Sequence, residues 1–444
     1  MAVPAWLAGC ERPSSSTGAP SEGDAVSLEV WSQTNPTDLW RTRGPEMVAS
    51  KIDEWDVTVK GVNHAAEWED YKRKVTLAAD AGKSPHVVVS GHEDVAPWSE
   101  AGYIVPIDDY MEQYPQFDGV IDSVWQTAEY NGKTWGLPSE TEARPMFFHK
   151  RKLAELGWSQ AEIDGLPDKI KDGEFKLDDM INTARQAVDE GVVKEGFGYY
   201  HRPEIGWDFL QYYIGYGGRM YDEESGKLIL TRDALVDFYE FQRTVVDERV
   251  TAENVIGIGW EQWHDTVSHG NTLFWNGGIW NWAEWSDIYA KELGGEPYLW
   301  SFIGFGLQPT GSGDRGVTLS HPLLYMIASE EASGDAFQDP AGALVAETAD
   351  VEIMTKHDLK SAHIGILEEQ YDYPPYKRDR FLSSVSYMVD YAVYQPNHLS
   401  FGPWFEAIYN NMVSAESGDL SPEQAADEAV ALMKAEIPDD VTFE

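Results

Sequence analysis

The feature that most constrains the fold is an alternation of strand-like and helix-like segments near the N-terminus. The segment SLEVWSQT (27–34) has apolar residues at alternating positions and predicts a strand. A helical stretch, AEWEDYKRKVTLAADAG, follows at 66–82. The run HVVVSGHED (86–94) is β-branched and ends in glycine and polar residues, as a buried parallel strand does where it leads into a functional loop. The alternation predicts α/β architecture.

The chain has 444 residues, which is more than a single hydrophobic core usually contains. We therefore expect two or more lobes. Three later segments have helical periodicity, namely FKLDDMINTARQAVDEG, TRDALVDFYEFQRTVVDE and LSPEQAADEAVALMKAE. Thr231 and Ser421 are the expected caps of the second and third helices. No internal repeat of fixed period is present.

The charge of the chain excludes two classes of partner. Thirty-three Lys and Arg residues against 76 Asp and Glu residues give a net charge of −43, which repels nucleic acid and anionic membranes. Acidity of this size favours a protein adapted to strong salt, because salt screens the self-repulsion, although an ordinary acidic surface is the alternative. The single cysteine permits no internal disulfide, and no apolar run reaches the roughly 18 residues of a membrane span.

Signatures of cofactors, metals and catalysis are missing from the sequence. His264 and His269 lack the i,i+4 spacing of a helical zinc pair, and no cysteine pair exists to complement them. The segment GSGDRG (311–316) lacks the Lys-Ser/Thr of a phosphate loop and is typical of a turn. There is no G-x-S-x-G motif. We therefore expect no metal and no cofactor, whereas a glycosidase-like carboxylate pair stays open because its separation is spatial.

Aromatic residues give the most informative signal. The segment NTLFWNGGIWNWAEW (271–285) places four tryptophans around an Asn-Gly-Gly turn, which presents the following residues at a loop or helix start. Flat amphipathic rings in such a position can lie against the C–H faces of a sugar, while neighbouring carboxylates and amides bind its hydroxyl groups. The alternative is that each of these rings belongs to the core.

Four blocks of the chain, in order, resemble one family. They are VVVSGHEDVAPWSEAGYIVPIDDYM, YNGKTWGLPSETEARPMFFHKRKLAELGW, NGGIWNWAEW and LSPEQAADEAV. From about residue 26 to 436 the chain is similar to the extracellular solute-binding proteins of family 1, the maltose-binding-protein-like receptors of ABC sugar importers. One departure is the Gly-Ile pair before Trp280, where many members of the family have a single proline.

The resemblance implies a two-lobed α/β fold of the periplasmic-binding-protein type II, with a ligand cleft between the lobes. It implies three crossings between the lobes, near Glu142, Leu307 and Ser361. Lobe one is then expected to comprise 26–142 and 308–361, and lobe two 143–307 and 362–444.

The N-terminus adds a second expectation. The residues LAGC (7–10) resemble a lipobox, in which Cys10 becomes the lipidated N-terminus and residues 11–25 form a flexible tether. Residues 1–10 contain no Lys or Arg and are too short for a complete signal, so we expect a truncated signal segment. The alternative is a chance cysteine in a disordered end. One acyl chain binds a membrane only marginally, so two or more are expected on a mature anchor.

The expected function is capture of a sugar at the outer face of the membrane and its delivery to an ABC permease by a monomeric, lipid-anchored, non-enzymatic protein. The alternatives are a glycosidase-like carbohydrate-active enzyme and a receptor for a non-sugar solute. The expected stacking platform is Trp280, helped by Trp282, Trp207 and Trp404, although Trp282 is also compatible with the core. The expected polar contacts are His92, Glu93, Asp94, Glu140, Glu142 and Arg144, of which Arg144 either binds ligand or holds Glu142 in place.

Overall fold

The computed structural model describes residues 18–33 and 39–444. Cys10 and residues 11–17 of the predicted tether therefore lie outside the described residues. A turn before β1 is closed by the Asp24 N–H, which donates to the carbonyl of Ser21 at 3.0 Å, and the Gly23 N–H donates to the carbonyl of Glu54 at 2.7 Å. None of the helices in the described ranges has the length and apolarity that crossing a bilayer requires.

Strands and helices are interspersed along the described chain. The strands are β1 (Ala25–Gln33), β2 (Asp56–His64), β3 (Val87–Gly91), β4 (Ile104–Val105), β5 (Glu129–Tyr130), β6 (Lys133–Thr134), β7 (Leu137–Pro138), β8 (Met146–His149), β9 (Tyr199–Tyr200), β10 (Tyr221–Asp222), β11 (Lys227–Leu230), β12 (Phe274–Asn276), β13 (Ile303–Gly306), β14 (Thr318–Ser320), β15 (Leu323–Ala328), β16 (Ala392–Tyr394) and β17 (Val441–Phe443). The α-helices are α1 (Trp40–Val48), α2 (Trp68–Asp80), α3 (Val95–Glu100), α4 (Asp108–Gln113), α5 (Asp122–Trp125), α6 (Lys150–Glu155), α7 (Gln160–Asp164), α8 (Leu166–Lys171), α9 (Leu177–Asp189), α10 (Leu210–Gly215), α11 (Arg232–Asp247), α12 (Trp260–Ser268), α13 (Asn281–Glu284), α14 (Glu296–Trp300), α15 (Glu330–Ser333), α16 (Gln338–Thr348), α17 (Val351–Ser361), α18 (Pro374–Arg378), α19 (Arg380–Val385), α20 (Phe401–Ser417) and α21 (Pro422–Glu436).

The first large sheet has the strand order β2-β1-β3-β15-β4, and β7 also pairs with β15. Strand β1 runs parallel to both β2 and β3, so the predicted parallel α/β arrangement is confirmed here. Every residue of β3 is buried, in agreement with its β-branched sequence. Strand β2 was not predicted from the sequence, because it lies at the sheet edge and its sequence DVTVKGVNH is largely polar.

A second sheet has the order β13-β8-β12-β9. The aromatic strand β8 lies at its centre and runs antiparallel to both β12 and β13. A smaller sheet joins β10, β11 and β17, and the short strands β14 and β16 pair in parallel. The loop after β12 carries the Asn-Gly-Gly turn, and Trp280 immediately precedes α13 as the sequence predicts.

Separate hydrophobic cores accompany the two large sheets, and the chain passes between them more than once. Leu137 belongs to the first core and Ala143 to the second. Leu319 belongs to the second core and Leu323 to the first. The lobe limits stay a prediction, and this last change of core argues for a crossing later in the chain than Leu307.

The predicted helices form, but one predicted cap differs. The Ser421 side chain accepts the Gln424 N–H at 3.3 Å, and Pro422 occupies the first helical position as predicted. Thr231 also precedes its helix, but its side chain makes no cap hydrogen bond. Its hydroxyl oxygen instead accepts the N–H of Arg219 at 3.3 Å, which ties the helix start to the segment between α10 and β10.

Candidate ligand-binding site

Loops from both large sheets meet at the junction of the two cores. The loop after β3 reaches His321, because the Glu93 carboxylate lies 2.5 Å from the imidazole Nε2. The segment after β7 reaches residues before α10, since Arg144 binds Asp208 at 3.0 Å. These loops extend from strand ends, where open α/β sheets place their ligand sites.

Glu93 is the best-connected group of the first loop. Its carboxylate accepts hydrogen bonds from Lys72 Nζ at 3.2 Å and from the indole N–H of Trp68 at 3.3 Å, in addition to the contact with His321. Burial opposes ionisation, but His321 and Lys72 outweigh it and hold the pKa of Glu93 well below its usual range. Glu93 is therefore an ionised acceptor fixed at the junction.

His92 and Asp94 flank Glu93 and point to protein groups. The imidazole Nδ1 of His92 lies 3.1 Å from the amide oxygen of Asn397, and burial, reinforced by His321, lowers its pKa to about 3. Asp94 accepts the hydroxyl of Ser90 at 2.5 Å, and burial, reinforced by Glu93, raises its pKa to about 7. These contacts hold the loop in place, so His92 and Asp94 support Glu93.

Glu140 forms an ion pair within the part of the chain that surrounds the first core. Its carboxylate accepts both Nε and Nη2 of Arg41, at 3.4 and 2.8 Å, and lies 3.3 Å from Nε2 of His357. Burial raises its pKa, but Arg41 and His357 prevail and the pKa falls below the usual range. With both oxygens engaged, Glu140 links α1 to α17.

Glu142 and Arg144 form a buried network with two residues that the sequence analysis did not select. Arg144 donates from Nε to Glu142 at 2.9 Å and from Nη1 to Asp208 at 3.0 Å, and Asp208 also binds Arg202. Burial raises the pKa of Glu142, against the effect of Arg144. Of the two roles expected for Arg144, the geometry supports the holding of Glu142.

Trp280 is half-buried beside this network. The guanidinium of Arg144 lies 5.0 Å from its ring centroid, and the imidazole of His363 is nearly parallel to the ring at 6.1 Å. A Cβ at Gly278 would lie 2.0 Å from Cζ3 of Trp280. Glycine at 278 is therefore required for this ring position, which gives a physical reason for the Gly-Ile departure from the family pattern.

Trp207 is the second half-buried ring. It lies 4.4 Å from the Phe405 ring and 5.2 Å from the Phe401 ring, and it is tilted against His321 at 6.2 Å, measured between centroids. His321 in turn holds Glu93. Trp207 thus contacts the first loop across the junction and combines a flat apolar face with nearby polar groups.

The two other tryptophans expected at the site lie in the core. Trp404 has no exposed surface and packs on Phe401 and Tyr213. Trp282 is stacked on Phe381, with the ring centroids 4.6 Å apart, and is also buried. Trp282 lies two residues after Trp280 in a helical turn, so the two rings point in different directions. We leave both out of the proposed site.

Sequence reasoning missed Asp208, Arg202 and His321. Asp208 follows Trp207 directly, and Arg202 precedes Trp207 in the segment HRPEIGWDF, so charged residues on both sides of Trp207 were the available signal. Arg202 also lies 4.9 Å from the ring centroid of Trp260. His321 lies between β14 and β15, and no local pattern marks it. Within the described ranges, no group of three or more His, Cys, Asp or Glu residues is placed to hold a metal ion.

Known structures have the same fold over almost the whole chain. The GacH receptor of Streptomyces glaucescens GLA.O, solved unliganded and with acarbose, is 18% identical with a TM-score of 0.73, covering 94% of this chain and 99% of that one. Maltose-bound MalE3 of T. maritima is 16% identical with a TM-score of 0.72, covering 92% and 99% of the two chains. The fold is therefore the two-lobed fold of periplasmic binding proteins.

Relatives found by sequence are also named as binding proteins. The maltotriose-binding protein of Pyrococcus abyssi (strain GE5 / Orsay) is 20% identical over 218 residues, which are 48% of this chain and 41% of that protein. The chain spans less than half the length of the curated relatives it matches: 46% of a protein of Brucella abortus (strain 2308) that is named as a binding protein and 41% of the Pyrococcus abyssi protein. The model of the bacterial extracellular solute-binding proteins matches residues 49–345. The matched family and folds are those of binding proteins rather than enzymes, and the chain belongs to the bacterial extracellular solute-binding protein family.

Proposed function

We propose that the protein captures a sugar or short oligosaccharide between its lobes and delivers it to the permease of an ABC transporter. The observation that carries the proposal is the juxtaposition of the Trp280 ring with the Arg144–Glu142 pair. A ring face binds the apolar face of a pyranose, and the adjacent charged groups bind its hydroxyl groups. Trp207 beside Glu93 and His321 supplies a second combination of the same kind.

The charge of the site supports a neutral ligand. The chain carries a net charge of −43, but three carboxylates near the junction are each matched by a cation. Glu93 faces Lys72, Glu140 faces Arg41, and Asp208 faces Arg144 and Arg202. A receptor for a polycation would leave its carboxylates unmatched. The balance therefore favours a sugar over the non-sugar alternative of a polyamine.

The names of the relatives point in the same direction. The receptor of Streptomyces glaucescens was solved with acarbose, the T. maritima protein with maltose, and the Pyrococcus abyssi relative is named for maltotriose. A Thermotoga lettingae neighbour is named as an ABC transporter solute-binding protein and was solved with α-D-tagatose. These four sugars form the first set of ligands to test.

The test is a thermal-shift screen in molar KCl with acarbose, maltose, maltotriose and tagatose, followed by calorimetric titration of the best ligand. We expect saturable binding of at least one sugar at about −8 kcal/mol, which corresponds to a micromolar Kd. The recovered sugar is then analysed by chromatography. Unchanged sugar supports a receptor, hydrolysed sugar supports the glycosidase-like alternative, and no response to any sugar contradicts the proposal.

The anchor is a separate part of the proposal. We infer that Cys10 of the LAGC segment is lipidated and holds a monomeric receptor at the extracellular face of the membrane, with residues 11–25 as the tether. Expression of Cys10→Ser from the complete gene in the native host should move the protein from the membrane fraction to the medium. Retention of the variant in the membrane, or an unmodified Cys10 in the native protein, would show that the inference is wrong.

A further inference from the structure

A cavity of about 220 Å³ lies between α17 on one side and α13 and α19 on the other. Trp282, Phe381 and Leu382, each at most 3% exposed, form its floor. Lys360 and Asp287 form an ion pair across its mouth, where both side chains are about half exposed. None of the residues proposed above to hold sugar lines this cavity, so it is a separate feature of the molecule.

Two buried polar groups of the cavity wall have no hydrogen-bond partner among the described residues. They are the carboxylate oxygen Oδ1 of Asp358 and the indole N–H of Trp282. The other oxygen of Asp358 accepts the Nε2 of Gln370 at 2.6 Å. Asp358 has no exposed surface, and burial, reinforced by Glu140, raises its pKa well above the usual range, so this carboxyl is ionised only beside a cation. An unpartnered acceptor and donor in a buried wall are costly, and a ligand with both kinds of group would relieve that cost.

The charge and aromatic content of the wall restrict the ligand further. Asp287, Glu296 and Asp379 line the cavity with Asp358, and Lys360 is the one cation among the lining residues. No three acidic groups in the described part of the chain converge closely enough for a metal ion. The stacked rings of Trp282 and Phe381 form an electron-rich floor, which attracts an organic cation.

We propose that this cavity is a second binding site, for a small organic ammonium compound that carries a hydroxyl group. The ammonium group donates to Oδ1 of Asp358, and the hydroxyl oxygen accepts the indole N–H of Trp282. The three further carboxylates supply the remaining negative charge. The occupant also connects α17 to α13 and α19. The site does not depend on the proposed sugar function.

The test is calorimetric titration of the full chain with ethanolamine at constant ionic strength. Ethylene glycol, which lacks the ammonium group, and tetramethylammonium, which cannot donate a hydrogen bond, are the comparison ligands. We expect saturable binding of ethanolamine at one site, no saturable binding of either comparison ligand, and at least tenfold weaker ethanolamine binding by Asp358→Asn. The matched control is Asp233→Asn, which removes a carboxylate that is 99% exposed and should leave binding unchanged.

Asp379→Asn is the second variant, in case Asp358→Asn does not fold. Asp379 caps α19 through the Leu382 N–H at 2.9 Å, and asparagine preserves that cap while it removes the charge. We expect at least threefold weaker ethanolamine binding. Sugar titration of the same variants should match the wild type, which separates this site from the sugar site. Absence of saturable ethanolamine binding, equal binding by Asp358→Asn, or equal binding of ethylene glycol would overturn the proposal.

Discussion

The guanidinium of Arg144 lies 5.0 Å from the ring centroid of Trp280 and donates two hydrogen bonds to Glu142. One side chain therefore joins the aromatic and the acidic parts of the proposed sugar site. Groups that share a partner in this way are energetically coupled, so a change at Arg144 affects both.

Replacement of Arg144 should destabilise the fold. Arg144→Met leaves Glu142 without its cation and removes one of the two cations of Asp208, in a region where both carboxylates are buried. We expect the free energy of unfolding to fall by about 3 kcal/mol, as measured by urea denaturation at constant salt. The control Arg73→Met removes an exposed i,i+3 ion pair with Asp70 and should change stability by less than about 0.5 kcal/mol. Equal stability of the two variants would contradict a buried network.

The position of the Trp280 ring should depend on Gly278. Gly278→Ala introduces a Cβ about 2 Å from the ring, so the ring must move. We expect at least tenfold weaker sugar binding, with the fold retained, measured by calorimetry and circular dichroism. Gly402→Ala is the matched control, because a Cβ there meets nothing within 4 Å and the residue lies in the first turn of α20. Wild-type affinity in Gly278→Ala would show that the ring does not contact sugar in this position.

Asp94 should make stability fall as the pH rises. Its folded-state pKa is about 7, against an ordinary value of 3.8, so between these values the folded protein retains a proton that the unfolded chain releases. Its contribution to stability is complete below about pH 4 and is lost as the pH rises through 7. Asp94→Asn can still accept the Ser90 hydroxyl but cannot titrate. We expect this variant to gain about 4 kcal/mol relative to the wild type between pH 4 and pH 8.

The measurement is urea unfolding across that pH range. Asp70→Asn, at an exposed position, should follow the wild-type profile. A constant difference between Asp94→Asn and the wild type at all pH values would show that Asp94 does not titrate differently in the folded protein.

Salt should raise the melting temperature markedly. A net charge of −43 on one chain produces self-repulsion that counterions screen, and the effect is largest between dilute and molar salt. Calorimetric scans in increasing KCl should therefore show a rising transition. A flat profile would mean that the acidity is not an adaptation to salt.

Local sequence patterns predicted the buried strand and the capped helix, whose positions depend on nearby residues. The β-branched run at 87–89 and the capped amphipathic helix after Ser421 both form as predicted. The edge strand β2 was missed because its partner β1 supplies the pairing that its own polar sequence does not indicate. Thr231 was expected to cap α11 because it precedes the helix. Its side chain instead accepts a hydrogen bond from the backbone N–H of Arg219, which the sequence does not indicate.

The candidate site could be predicted only in part, because two of the four expected tryptophans, Trp282 and Trp404, lie in the core. The Asn-Gly-Gly turn is a local signal, and it correctly predicts that Trp280 lies at the start of a helix. His321 reaches Glu93, and Asp208 reaches Arg144, only in the folded chain. These pairs are so far apart in sequence that no spacing pattern predicts them. Glu140 was expected to contact ligand because its local sequence resembles that of Glu142. In the structure, Arg41 and His357 occupy both of its carboxylate oxygens, and these partners are distant in sequence.

The most direct test of the central claim is titration of the wild type and of Trp280→Ala with the sugar selected by the thermal-shift screen. The account predicts that sugar changes the tryptophan fluorescence of the wild type, and that folded Trp280→Ala binds at least tenfold more weakly, a loss of about 1.4 kcal/mol. The control Trp158→Phe changes a half-buried ring that packs on Phe175, away from the proposed site, and should bind as the wild type does. Wild-type affinity in a folded Trp280→Ala variant would contradict the account.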